Sequence, residues 1–360
     1  MRKLNLLPVL FLLATGFVLQ SCSKGSSGGG GTTPTPTPND KKLTVTLSSN
    51  QINADGFDEA KVTVKDENGN DVTANCSIFV NNLGRQVPSF WTENAGTYKV
   101  KAQKGSLLSP EVTLTAVAPG PSPFTQKLLV EDFTGTWCQY CPRVGLALEN
   151  YSSAHPNCIV VANHGGNGTA DPYLFQYHST MANYFQIQGY PSAVVNRNGI
   201  WDEGYASLNG QLLLRAPVGL SVNTSISGST INVDAKVKFD VTTGIDLRLA
   251  VYLVEDSLVY PQVNSPANGN GLSNPISNYV HNAVLRKTAS DIYGDLIDKT
   301  SQQKGSTYQK NFSFNVSGLN YNMNNLRVIA FVAYGTGNYL SKKGTANVQS
   351  VKAGQNKDFD

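Results

Sequence analysis

The stretch 126–141 constrains this 360-residue chain more than any other. Gln-Lys-Leu-Leu-Val-Glu-Asp-Phe (126–133) is an apolar run of the kind that forms a strand covered on both faces. Trp137-Cys138-Gln139-Tyr140-Cys141 follows it, and residues 143–151 carry a helical pattern. A Cys-x-x-Cys between a buried strand and a helix has a specific chemistry. The two-residue gap lets both sulfurs meet across one turn, and the positive end of the helix favours a thiolate on the first cysteine. Cys138 is then the attacking thiolate and Cys141 the thiol that resolves the mixed disulfide. The same spacing also suits a disulfide that only staples the loop. A metal needs more ligands than one such pair supplies, and no second pair or His cluster with metal spacing follows, so neither a metal nor another cofactor is expected.

The sequence around the motif alternates strand and helix. An apolar strand is predicted at 158–162, a helix at 174–187 with Phe175, His178, Met181 and Phe185 at helical spacing, a strand at 193–195, a turn at Asn198-Gly199 and a last helix at 208–214. This order predicts an α/β domain over 124–215. The run Glu131-Asp132-Phe133-Thr134-Gly135-Thr136-Trp137-Cys138 resembles the corresponding segment of thioredoxins. The resemblance implies a buried carboxylate at Asp132, able to shuttle the proton of the resolving thiol. Ile187-Gln188-Gly189-Tyr190-Pro191-Ser192 resembles that family's cis-proline loop. It implies a cis Pro191 against the sulfurs and a Tyr190 backbone free to pair with a substrate strand, with Trp137 beside them. The Gln139-Tyr140 dipeptide matches neither the reducing nor the strongly oxidising members, so the direction of electron flow stays open. His164 follows the second strand of the domain, near the cysteines if the strands are parallel. It either helps bind substrate or caps a loop.

The other cysteines have separate readings. Cys76 and Cys158 are read as buried small residues, with a bridge between them as the alternative. Cys22 follows Arg2-Lys3, a 16-residue apolar run (4–19) and Leu19-Gln20-Ser21, an arrangement that resembles a bacterial lipobox. Residues 1–21 then form a lipoprotein signal peptide, and Cys22 carries the lipid. Residues 22–41, Gly/Ser-rich and then Thr-Pro-rich, form a tether. Lys+Arg minus Asp+Glu is 28 − 25 = +3, and +1 without Arg2 and Lys3. That balance gives no support for a nucleic-acid partner.

Strand alternation fills the rest. Residues 42–118 alternate with period two and end in Gly96-x-Tyr98-x-Val100, which resembles bacterial immunoglobulin-like modules. From 216 to 360 the strands 218–226, 231–239, 247–254, 279–285, 308–316 and 326–334 predict a C-terminal β-sandwich. The Asn/Pro/Gly/Ser-rich stretch 260–277 is long for a connection in a compact domain and reads as a binding loop or a mobile segment. His281 lies in a strand and reads as a structural hydrogen-bonding residue.

The fold class is thus multidomain: an immunoglobulin-like β-sandwich, a thioredoxin-like α/β domain and a C-terminal β-sandwich. Gly189 to Arg197 (Gly-Tyr-Pro-Ser-Ala-Val-Val-Asn-Arg) and Tyr279 to Arg286 (Tyr-Val-His-Asn-Ala-Val-Leu-Arg) are similar to the twenty-eight-kilodalton outer-membrane protein family. That resemblance implies a lipid-anchored protein of the outer membrane, with adhesion suggested for some members. The tether lacks an acidic run behind Cys22, which favours the periplasmic face. The expected function is thiol–disulfide exchange with envelope proteins that carry thiols or disulfides. The alternative is a binding or adhesion lipoprotein in which the Cys-x-x-Cys is a structural disulfide.

Overall fold

The computed structural model describes residues 42–166 and 170–360. The signal peptide 1–21, the lipidation at Cys22 and the tether to residue 41 lie outside the described residues. Among those described, no helix is long and apolar enough to cross a membrane.

The N-terminal part is a two-sheet sandwich. Strands β1 (Thr44–Leu47), β3 (Ala60–Lys65) and β6 (Ser89–Phe90) form one sheet. Strands β2 (Gln51–Asn53), β4 (Ser77–Val80), β5 (Leu83–Arg85), β7 (Gly96–Lys104), β8 (Leu107–Leu108) and β9 (Val112–Val117) form the other. Every second residue of β3 (Ala60, Val62, Val64) faces the shared core, as period-two alternation requires. The Tyr98 hydroxyl donates to the Asn94 carbonyl (2.8 Å) and its ring lies 4.6 Å from Phe90, so Tyr98 pins a corner of the sandwich.

After it come β10 (Leu128–Thr134), α1 (Cys141–Ala154), β11 (Cys158–His164), α2 (His178–Tyr184), β12 (Ser192–Val195), β13 (Gly199–Ile200) and α3 (Tyr205–Leu212). The chain continues through β14 (Val218–Ser227), β15 (Thr230–Phe239), β16 (Leu247–Glu255), β17 (Leu258–Val259), β18 (Val280–His281), β19 (Val284–Thr288), β20 (Asp295–Leu296), β21 (Thr307–Asn315), β22 (Leu326–Tyr334), β23 (Thr345–Lys352) and β24 (Asn356–Lys357).

Residues 124–215 and 216–360 are not separate sheets. One nine-stranded sheet runs β13-β12-β10-β11-β19-β16-β22-β23, with β20 on β16, and so crosses residue 215. The junction is the parallel pairing of β11 with β19 at Ala162 and Val284. A four-stranded sheet, β21-β15-β14-β24, covers one face of the far half and completes the predicted sandwich.

All seven residues of β10 are buried, and alternation sorts them. Leu128 and Val130 face α1 and α3, against Val144, Leu148 and Leu208. Leu129 and Phe133 face α2 and the aromatic core of Tyr252 and Phe331. Period two therefore turns Asp132 toward α1 and Glu131 toward the aromatic core. There Arg197 makes a bidentate pair with Glu131 (both 2.9 Å) and lies 4.4 Å above the Phe331 ring. Burial works against the Arg197 charge, but the Glu131 carboxylate outweighs it and raises its pKa.

Four sequence expectations change. The helix expected at 174–187 is only His178–Tyr184, because Gln186 turns to φ 55°. The last helix starts at Tyr205 and stops at Leu212, short of Leu214. The strand expected at 279–285 breaks at Ala283 (φ 55°): Val280–His281 pairs with β17, and Val284 onward joins the large sheet. Cys76, expected to be buried, is only half-buried in the first sandwich, whereas Cys158 is buried as expected at the start of β11; no disulfide joins the two.

Candidate functional site

The Cys-x-x-Cys sits at the carboxyl end of β10. Cys138 and Cys141 form a disulfide with Cα atoms 5.4 Å apart. Cys141 is the first residue of α1 and Pro142 occupies the first turn, where a missing N–H costs nothing. No side chain caps this end and no acidic residue lies in its first turn, so the positive end of the helix faces the sulfurs uncompensated. Gly135 is required in the preceding turn. A Cβ there would lie 2.5 Å from Trp137 Nε1 and 3.0 Å from the Gly165 carbonyl oxygen.

Asp132, one turn of strand below, is 4% exposed, and its Oδ1 has no hydrogen-bond partner. Burial alone pushes its carboxyl up to about 7. Asp132 and Cys141 line one cavity of about 350 Å³, together with Gly145, Gln262, Tyr279 and His281. Tyr279 is raised chiefly by its own burial and further by the Asp132 and Glu149 charges. Gly145 makes room for that phenol: a Cβ there would stand 3.0 Å from the Tyr279 hydroxyl. Burial and the His164 charge press His281 down to about 4, so its imidazole is neutral and its Nε2 lies 3.2 Å from the Tyr260 carbonyl oxygen.

Trp137 and Tyr190, the residue before Pro191, pack on each other outside that cavity lining. The Trp137 indole donates to the Gly165 carbonyl (2.7 Å) and meets Tyr190 edge-on at 5.4 Å. The Tyr190–Pro191 peptide is cis. The Tyr190 hydroxyl is 2.7 Å from His178 Nε2, and His178 Nδ1 is 3.0 Å from Asn163 Oδ1. Burial lowers the pKa of His178, which keeps the ring neutral in that chain of contacts.

His164 is buried and 3.2 Å from Asp171 Oδ2, which also accepts the Thr136 N–H at 2.7 Å. His164 therefore reaches the disulfide loop through Asp171. Burial pushes the Asp171 carboxyl up, but His164 and the Thr136 and Tyr173 N–H groups more than offset this, and the net shift is downward. Asp132, Trp137, Cys138, Cys141, His164, Tyr190 and Pro191 thus lie on the elements that surround the motif.

The sequence reading missed Gln262, His178, Asp171 and Tyr279. The stretch 260–277 lies over the motif. Val263 N–H donates to the Thr136 carbonyl (2.8 Å), and Gln262 Nε2 donates to the carbonyls of Cys138 (3.0 Å) and Gly135 (3.2 Å). Asn268 Nδ2 donates to the Gln139 carbonyl (2.8 Å). Under this cover Cys138 and Cys141 are only 4% and 3% exposed. A second cavity, about 660 Å³ between Tyr184, Arg248 and residues 333–344, has no cysteine or histidine in its lining. Among the described residues, no three His, Cys, Asp or Glu side chains are grouped to hold a metal ion.

The fold and site define a β-rich protein with a buried disulfide at the head of a helix. The sequence pattern of the family described as outer membrane protein Omp28 matches residues 178–357, half of the chain, and the chain belongs to that family. The membership supports an outer-membrane location. The matched stretch includes Tyr190, Pro191, Arg197, Gln262 and His281, and begins after the two cysteines. Among solved structures, HBP35 of Porphyromonas gingivalis shares the fold with a TM-score of 0.51 at 19% identity, over 64% of this chain and 76% of that one. Two structures of beta-glucosidase from Kluyveromyces marxianus, one selenomethionine-labelled and one in complex with glucose, reach TM-scores of only 0.19 and 0.20 at 10% and 9% identity. Each covers 79% of this chain and 42% of that one, and at such scores the likeness carries no argument. No curated protein matches the sequence.

Proposed function

We propose that this chain is an envelope lipoprotein, anchored through Cys22 on the periplasmic side of the outer membrane, whose Cys138–Cys141 pair exchanges thiols and disulfides with envelope proteins. The observation that carries this reading is the shared cavity of Cys141 and Asp132, with a carboxyl pushed up to about 7 and an unpartnered Oδ1. A carboxyl poised there takes or gives one proton near neutrality, which is what a resolving thiol needs. The parallel β10–β11 pair, the antiparallel β12, the helix opened by Cys141 and the cis Tyr190–Pro191 peptide support a thioredoxin-like reading of residues 124–215.

In the reduced pair, the Cys138 thiolate attacks a partner disulfide sulfur and the partner's S–S bond breaks. Its electron pair leaves on the second partner sulfur. The Cys141 thiol passes its proton to Asp132, attacks Cys138 Sγ and releases the first partner sulfur as thiolate. The partner is reduced and the pair becomes the observed disulfide; the reverse sequence oxidises a partner dithiol. A Cys141→Ser variant expressed in the envelope is expected to hold partners on Cys138 as mixed disulfides, released by reductant. If none form, and purified protein neither reduces nor oxidises a model disulfide, this reading fails.

One observation favours a second reading. Both cysteines are almost fully buried, as a stapling disulfide in a non-enzymatic binding lipoprotein would be. On that reading a double Cys138→Ser, Cys141→Ser variant keeps wild-type behaviour in cells while removal of 260–277 abolishes partner binding.

A further inference from the structure

We propose that the segment 262–268 stands where a partner docks, and that an extended cysteine-bearing polypeptide must displace it to reach the disulfide. This rests on the redox reading above, but its test is separate. The four hydrogen bonds between the segment and the disulfide loop all run one way: Gln262, Val263 and Asn268 donate, and the carbonyls of Gly135, Thr136, Cys138 and Gln139 accept. A row of backbone acceptors beside a reactive sulfur is matched by the N–H groups of an extended chain. Here the Val263 N–H already supplies one such contact, as a partner's backbone would.

The segment is braced as a unit. Asn264 donates its N–H to Asn274 Oδ1 (3.1 Å) and its Nδ2 to the Leu272 carbonyl (3.0 Å), while its Oδ1 accepts from Asn268 Nδ2 (2.7 Å). Gln262 and Ile276 also exchange backbone hydrogen bonds (3.1 and 2.8 Å), so the segment leaves or stays together with the rest of 262–276. Its departure exposes Cys138 beside Trp137, Tyr190 and the exposed ring of Tyr140, an aromatic rim suited to the side chains of an unfolded segment. A small thiol brings no row of donors and has to wait for spontaneous opening.

The first test is reduction by dithiothreitol. Its thiolate attacks Cys138 Sγ, the S–S bond breaks, and the electron pair leaves on Cys141 Sγ, which takes up a proton. The second dithiothreitol sulfur then displaces Cys138, so the reagent is oxidised to its cyclic disulfide and the protein pair is reduced. Each hydrogen bond lost is expected to speed opening roughly fivefold, so Asn268→Ala gains about fivefold and Gln262→Ala about 25-fold. Gln309→Ala, which breaks a contact to Asp234 on the four-stranded sheet away from the segment, is expected to leave the rate unchanged. Unchanged rates in folded Asn268→Ala and Gln262→Ala, or equal acceleration by Gln309→Ala, overturn the proposal. If Gln262→Ala does not fold, Asn268→Ala decides.

The second test joins a short extended peptide with one central cysteine to Cys138 of the Cys141→Ser protein through an activated disulfide. The Val263 amide is expected to lose its hydrogen-exchange protection; retained protection places the peptide elsewhere and overturns the proposal. Accelerated reduction and lost protection, without trapped partners in the envelope, would refute the redox reading and leave the docking edge standing.

Discussion

Asp132→Asn is the perturbation that isolates the buried acid. The wild-type carboxyl is raised from 3.8 to about 7 by burial alone. Between those values the folded protein holds a proton that the unfolded chain has released. Stability therefore falls as pH rises through this window, at about 1.4 kcal/mol per pH unit, and levels off above 7. The gap of roughly 3 pH units corresponds to about 4 kcal/mol between pH 4 and pH 8. Asparagine is close in shape and carries no charge, so the variant lacks this slope. Urea titrations of both oxidised proteins from pH 4 to pH 8 are expected to give similar stabilities at pH 4 and a variant several kcal/mol more stable at pH 8. The same variant is expected to exchange disulfides more slowly near neutrality, because the proton acceptor for Cys141 is gone. Parallel pH profiles for the two proteins would refute the reasoning, since Asp132 would then be ionised and solvated in the fold.

Cys158 is expected to be inert in the folded protein. Burial pushes its thiol up to about 12, so at pH 8 only about one molecule in ten thousand carries the thiolate, and alkylation with iodoacetamide should require unfolding. Glu131→Gln is expected to cost roughly 3–5 kcal/mol by stranding the buried Arg197 charge, whereas Glu131→Leu with Arg197→Met costs markedly less in the same urea titration. Gly135→Ala places a methyl against Trp137 and is expected to lose about 1–3 kcal/mol and to shift the tryptophan emission; an unchanged spectrum would mean the indole does not pack on Gly165.

The sequence made the local parts readable and hid the long-range ones. The continuous apolar run at 126–133, the Cys-x-x-Cys and the Gly-Tyr-Pro loop are short-range signals; the first two lead into and form the disulfide, and the third brings the Tyr190 ring against Trp137. Strand β23 carried no such signal. Its Asn347 and Gln349 sit at the polar positions of the alternation, which the pattern would expose, yet they are buried because they bond across to other segments: Asn347 receives the Lys127 N–H and donates to the Thr125 and Val218 carbonyls. The fusion of the α/β strands to the far sheet was equally silent, since it rests on the single register contact of Ala162 with Val284, more than a hundred residues away. The stretch 260–277 was legible as unusual, but its composition does not say what it covers. Gln262 is an ordinary polar residue until the fold puts it 3.0 Å from the Cys138 carbonyl.

The reduction potential of the Cys138–Cys141 pair tests the central claim most directly. Equilibrated against glutathione or dithiothreitol in the folded state, an exchanging pair is expected to lie between about −120 and −270 mV, with the value naming the direction of electron flow. A pair below about −300 mV, or one that is reduced only on unfolding, would mark a structural staple and contradict the account.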